Sequence, residues 1–173
     1  KKDTGYGVYV EGARSGSFAR TASGEIYHGA VWPGAAAFPD FTKEETRAWW
    51  ARSHRPLFDA GVAGIWNDMN EPSDFSRAGA SPTEKTVSDD AILEHDGYPR
   101  PFSRYHNAYG MEMCRATLEA FNRYRPDQRP FILTRSAYAG IQQCAAVWTG
   151  DNHSWWEHVA MAMPMHMNVG LSG

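Results

Sequence analysis

The chain has 173 residues, 17 Lys+Arg against 20 Asp+Glu, and a formal charge of −3, which fits one domain long enough to bury a core. A hydrophobic content of 42% with 21% charged residues excludes a disordered polyelectrolyte. No apolar run approaches the ~18–20 residues of a membrane span, and no dense Lys/Arg stripe points to nucleic acid. Cys114 and Cys144 are too few for a disulfide framework. No signal peptide is visible and the compartment stays open, with the cytoplasm as the expectation. The chain opens on Lys1-Lys2-Asp3 and closes on Leu171-Ser172-Gly173, so we expect a piece of something longer. Seven Trp, eight Tyr and eight Phe make it 13% aromatic. Such side chains fill cores, and they also offer flat apolar platforms suited to the C–H face of a sugar.

In chain order, Tyr6–Val10 reads as a strand, and residues 24–41 as a loop rich in Gly and Pro. Thr42-Lys43-Glu44-Glu45 has the pattern of a capping box. It opens a helix that runs to about Ala60, kinks at Pro56 and stops at Gly61. Val62–Asn67 is an apolar run, read as a buried strand, and it leads into Asp68-Met69-Asn70-Glu71-Pro72. Residues 73–103 are rich in Ser, Asp, Pro and Gly, a long stretch of the kind that serves as a functional loop. A second helix covers about Tyr105 to Tyr124, with Tyr109, Met113, Ala116, Ala120 and Tyr124 on one face. Phe131–Thr134 is a third strand, closed by Arg135-Ser136, and Tyr138–Gln143 a short helical turn. Ala145–Thr149 is a fourth strand, closed by Gly150-Asp151-Asn152. Ser154-Trp155-Trp156-Glu157 is a second capping-box pattern, opening a helix towards Met167, and Val169-Gly170-Leu171 reads as the start of another strand.

Apolar strands separated by helices indicate an α/β protein with a parallel sheet. A doubly wound sheet and a (β/α)8 TIM barrel both fit. No Gly-x-Gly-x-x-Gly follows a strand and no Gly-x-x-x-x-Gly-Lys-Ser/Thr is present, so nucleotide binding loses support. A complete barrel takes ~250 residues, so this chain would hold about four to five of its eight βα units. The C-terminal ends of barrel strands face the active site, and three strand ends here carry charge: Asp68, Arg135 and Asp151. A single Asp after a strand is an ordinary turn former. Two that each follow a Trp closely, with an Arg in the same kind of position, form a constellation. Two carboxylates converging on one pocket are the equipment of glycoside hydrolysis, one reacting at the anomeric carbon and the other holding a proton for the leaving oxygen.

At this point the residues match a known family. Trp66-Asn67-Asp68-Met69-Asn70-Glu71-Pro72 resembles the nucleophile signature of glycoside hydrolase family 31, the α-glucosidase family. Val31-Trp32-Pro33-Gly34 with Phe38-Pro39-Asp40-Phe41 resembles the family's upstream loop. Arg129–Ser136 and Val147–Asn152 resemble its later barrel strands, in the right order, so the likeness runs from about residue 5 to 173. The resemblance implies that residues 1–173 are part of a single catalytic barrel domain, with loop insertions near 24–41 and 73–103.

It also implies roles. Asp68 would be the nucleophile and Asp151 the general acid/base. Arg135 would bind sugar hydroxyls, while Trp66, Met69 and Trp148 would line the subsite. Glu71 would hold the nucleophile loop by hydrogen bonds. Trp32 reaches the pocket from its loop or has a core or loop-packing role; both readings stay open. The implied activity is that of a retaining exo-α-glycosidase on α-linked oligosaccharides, acting by double displacement without metal or organic cofactor. The alternatives are an enzyme that transfers the glycosyl unit to another sugar, and a non-catalytic carbohydrate-binding relative. The remaining partner would be the rest of the full-length chain, and the isolated 173 residues are expected to be inactive. Asn152-His153-Ser154 is a glycosylation sequon abutting Asp151, where a glycan would block the pocket. His153 and His158 are too loosely spaced for zinc. Met161, Met163, Met165 and Met167 are expected in the core, and both cysteines as buried thiols.

Overall fold

The structure, a computed structural model, describes residues 2–76 and 85–171. Its centre is a parallel sheet of three strands in the order β3 (Ile65–Asn67), β6 (Ile132–Thr134), β7 (Ala146–Val147). Asn67 pairs with Thr134, and Thr134 with Val147. The three strands therefore end level with one another. This register is the main service the fold performs for the site, because it brings three chain segments out of the sheet at one edge.

Helix α4 (Tyr109–Tyr124) covers one face of the sheet. Its buried residues Gly110, Cys114, Thr117 and Phe121 recur at helical spacing. Tyr109, Ala116 and Ala120 are buried as the periodicity predicts, whereas Met113 and Tyr124 lie half-buried at the flanks. Below α4, Phe58, Phe121, Ile132 and Ile141 form one cluster; Phe41, Leu93, Phe102 and Tyr109 form a second. Truncating a ring such as Phe121 to Ala would cost about 3–5 kcal/mol. No Cβ fits at Gly110, since it would fall 2.7–2.9 Å from Ser136 just beyond β6. The helix thereby comes close enough to brace the strand end.

Several local expectations are corrected. Tyr6–Val10 is not a strand: Gly7–Arg14 forms helix α1. The apolar run is short, and packing overrides its β propensity. Tyr9 stacks on Phe18, and Gly12 lies so near Phe18 and Trp49 that a side chain there would collide. The 24–41 loop contains an antiparallel hairpin, β1 (His28–Val31) with β2 (Gly34–Ala37), turned by Gly34 at φ 105°. The predicted 42–60 helix is split into α2 (Glu44–Ser53) and α3 (Arg55–Asp59), since Pro56 suits a first turn better than an interior. Gly61 stops it at φ 89°.

Neither capping box forms. Thr42 Oγ1 donates to Asp40 and accepts from His95 N–H instead, and α5 (Trp156–Gly170) begins with no side-chain cap. Within 73–103, residues 77–84 lie outside the described residues; further on, β4 (Ile92–Leu93) pairs with β5 (Arg100–Pro101), so the stretch is not structureless. Val169–Leu171 continues and ends helix α5 rather than opening a strand.

The methionine run is not core. Met161, Met163, Met165 and Met167 are all exposed, and α5 buries no residue among those described. Spacing by two turns successive side chains about 200° around a helix axis, so the four cannot share one face. Cys114 is fully buried and Cys144 half-buried, and burial pushes both thiols up. Among the described residues no helix is long and apolar enough to cross a membrane.

Candidate active site

Beyond the level strand ends lie the three charged positions marked by the sequence. β3 runs out through Asn67 into Asp68, β6 through Thr134 into Arg135, and β7 through Trp148 to Asp151. Arg135 N–H donates to Asn67 O, and Trp148 N–H to Thr134 O (both 3.3 Å), so the pairing continues past the strands. Arg135 Nη1 then lies 3.3 Å from Asp68 Oδ1 and 2.9 Å from Asp151 Oδ2. Two contacts on one nitrogen cap the separation of those oxygens at about 6.2 Å, so the two carboxylates face one space.

The other edge of the guanidinium grips Glu71 in a forked pair, Nε to Oε1 at 2.6 Å and Nη2 to Oε2 at 3.1 Å. Burial would push the Glu71 carboxyl up; the hydrogen bonds from Arg135 and Ser73 outweigh it and hold the group below its ordinary range. The bond to Glu71 in turn raises Arg135, which stays cationic. Arg135 Nη2 also rests 2.6 Å from Met69 Sδ. Glu71 thus ties the loop after Asp68 to the residue that follows β6.

Asp68 is set by its own backbone. Met69 has φ 58°, a left-handed conformation that is costly for a residue with a side chain. In it, Met69 N–H donates to Asp68 Oδ1 at 2.8 Å. The loop is held from below by buried amides. Asn70 Nδ2 donates to Thr134 Oγ1 (2.8 Å) and Asn70 Oδ1 accepts from Ser136 N–H (2.9 Å). Asn67 Nδ2 donates to Thr117 Oγ1 of α4 (3.2 Å). Asn67, Asn70, Thr117 and Thr134 are 0–2% exposed.

Sequence reasoning did not find these four supports. The signal available was polar residues inside apolar runs, such as Thr134 closing β6, which must find partners when buried.

Trp66 and Trp148 stand edge to face, with centroids 5.4 Å apart, and Trp66, in the middle of β3, is 62% exposed. Trp32, at the β1–β2 turn, is 81% exposed and lies 5.0 Å from Phe75; that exposure removes the core reading for it. Asp151 is 84% exposed on its side chain against 36% for Asp68. The three strands wall one side of the site, which is an open face rather than an enclosed hollow. Among the described residues no three His, Cys, Asp or Glu side chains converge as a metal site would require.

Two aspartates brought together at the C-terminal edge of a parallel α/β sheet, with indole platforms beside them, stand where barrel enzymes build their sites. The comparison with known proteins makes it specific: the glycosyl hydrolases family 31 TIM-barrel domain matches residues 1–173, and the chain belongs to that family, as part of its barrel. It is 47% identical over 173 residues to an alpha-glucosidase 2 of Bacillus thermoamyloliquefaciens, covering all of this chain and 21% of that protein. It is 39% identical to the human neutral alpha-glucosidase AB, covering 18% of it. A solved glucosidase II alpha subunit bound to Glc1Man2 superimposes with TM-score 0.84 at 32% identity, over 99% of this chain and 18% of that one. The chain therefore spans about a fifth of the length of the relatives it matches.

Proposed function

We propose that this chain carries the catalytic pair of a retaining exo-α-glycosidase that hydrolyses terminal α-glucosidic bonds of oligosaccharides. The observation that carries the reading is the bridge from one Arg135 nitrogen to both Asp68 and Asp151. Substrate class follows the relatives, which are named as α-glucosidases.

In this mechanism Asp68, aimed by the Met69 N–H and Arg135, attacks the anomeric carbon and forms a glycosyl–enzyme ester. Asp151 gives its proton to the leaving oxygen, then takes one from the water that cleaves the ester. In this step the Asp151 carboxyl leaves Arg135 for the leaving group. The Nη1 hydrogen it vacates is then free for a sugar hydroxyl, while the Glu71 fork keeps the guanidinium in place. Trp66, Trp148 and Met69 give the sugar its apolar surround.

The 173 residues would be one part of a single barrel domain, with other strands supplying the opposite wall. By themselves they would not turn over a chromogenic α-glucoside. The test of the reaction uses the full-length protein. Following maltose or a nitrophenyl α-glucoside by NMR should show α-glucose released first. A 5-fluoroglucosyl fluoride should leave a label on Asp68 in a peptide map. β-Glucose released first, or a label elsewhere, would overturn the assignment.

A further inference from the structure

Asp74 lies outside the chemistry just described and is 0% exposed. A carboxylate leaves water only when donors replace it, and here Tyr27, Ala30 and Ser76 supply them. Tyr27 Oη donates to Oδ2 at 2.7 Å; the N–H groups of Ala30 and Ser76 donate to Oδ1 at 2.9 and 2.8 Å. Two of these donors belong to the segment leading into and forming the β1–β2 hairpin, more than forty residues earlier in the chain; the third sits two residues downstream of Asp74 itself. Alongside, Phe75 N–H donates to Ala30 O at 2.7 Å, and Tyr27 Oη accepts from Ser88 N–H at 3.2 Å. A Cβ on Gly29 would fall on the Asp74 carboxylate, so the hairpin backbone meets this group with no room for a side chain. The hairpin turn carries Trp32, whose ring lies against Phe75. Asp74 and Phe75 follow Asp68 by six and seven residues.

We propose that Asp74 is a positioning residue: it pins the β1–β2 hairpin to the segment that carries Asp68 and so fixes Trp32 as a wall of the sugar site. The inference rests on the glycosidase reading above. Asp74 acts through Trp32 and touches no reacting atom. The carboxylate suits the task because Tyr27, Ala30 and Ser76 all donate to it. An amide would keep the shape and part of the bonding, and an alanine would leave Tyr27 Oη and two N–H groups without their acceptor.

The test uses the full-length enzyme with an α-glucoside. Asp74→Ala should lower kcat/KM on the order of 10- to 100-fold, chiefly through KM, and Asp74→Asn should recover most of that loss. Because Asp74 works through Trp32, Asp74→Ala combined with Trp32→Ala should lose no more than Trp32→Ala alone; losses that multiply would overturn the proposal. Should Asp74→Ala not fold, Gly29→Ala pushes on the same contact and should raise KM likewise. Hydrogen exchange reads the pin without any turnover: amides of residues 28–37 should exchange faster in either variant while those of α4 do not change. Unchanged exchange there overturns the pin. A parent enzyme with no α-glucosidase activity would instead sink the glycosidase reading, and an active parent whose Asp74→Ala variant keeps its kcat/KM would sink this inference alone.

Discussion

The two aspartates of the site sit in opposite surroundings. The segment 68–76 is cross-braced: Met69 N–H on Asp68, Asn70 on Thr134 and Ser136, Glu71 on Arg135 and Ser73, Asp74 on the hairpin. The segment 150–156 is exposed throughout apart from half-buried Gly150; Arg135 reaches Asp151 from outside the segment, and α5 follows with no buried residue among those described. The contrast is that of this chain, about a fifth of the length of its relatives, and it agrees with the two tasks proposed above. A group that forms a bond to carbon needs a fixed line of attack. A group that moves protons between a leaving oxygen and a water needs reach.

The largest test of this contrast is Asp68→Ala in the full-length enzyme, which should cut kcat by about 10^4-fold or more. Added azide should restore some cleavage by filling the vacated space, and activity near the parent would remove Asp68 from its role. Asp151→Ala should cost about 10²–10⁴-fold on substrates with poor leaving groups, and far less in the first step for a nitrophenolate or fluoride that departs without a proton. Equal losses on both substrate types would show that the contrast is misdrawn.

Glu71 gives the pH dependence of the braced side. Its folded-state pKa lies below the ordinary 4.5, so below that value the unfolded chain takes up the proton first. The stability it supplies is therefore whole above about pH 4.5 and drains as pH falls through the folded value. Urea midpoints measured from pH 7 down to pH 3 should fall less steeply in Glu71→Gln than in the parent.

The smallest effect compares two serines. Ser73, buried and bonded to Glu71, should lose about 1–2 kcal/mol on going to Ala. Ser154 is exposed and caps nothing, so Ser154→Ala should stay within about 0.5 kcal/mol. A loss at Ser154 as large as at Ser73 would mean that the acid segment is as firmly built as the other.

How much of this was legible in the chain depends on the distance over which each feature is decided. The apolar runs ending at Asn67, Thr134 and Thr149 are local signals, and their charged successors stood out before any coordinates. Helix α4 was legible from its periodicity. Tyr6–Val10 misled because a five-residue apolar run fits either element, and only the approach of Phe18 and Trp49 to Gly12 selects the helix. The Met161–Met167 run misled because composition was read without its angular spacing. The capping pattern at Thr42 misled because Asp40 and His95 engage the hydroxyl first.

By itself the order of residues determined the chemistry on offer: two aspartates and an arginine, each released from the end of an apolar strand. What only the tertiary structure decided is how they are held. The Arg135 fork on Glu71, the Met69 backbone on Asp68 and the burial of Asp74 under the hairpin join residues that lie 64, 1 and 44 positions apart in the chain. Hydrogen bonds and close packing act over a few ångströms in space, whatever the separation along the chain.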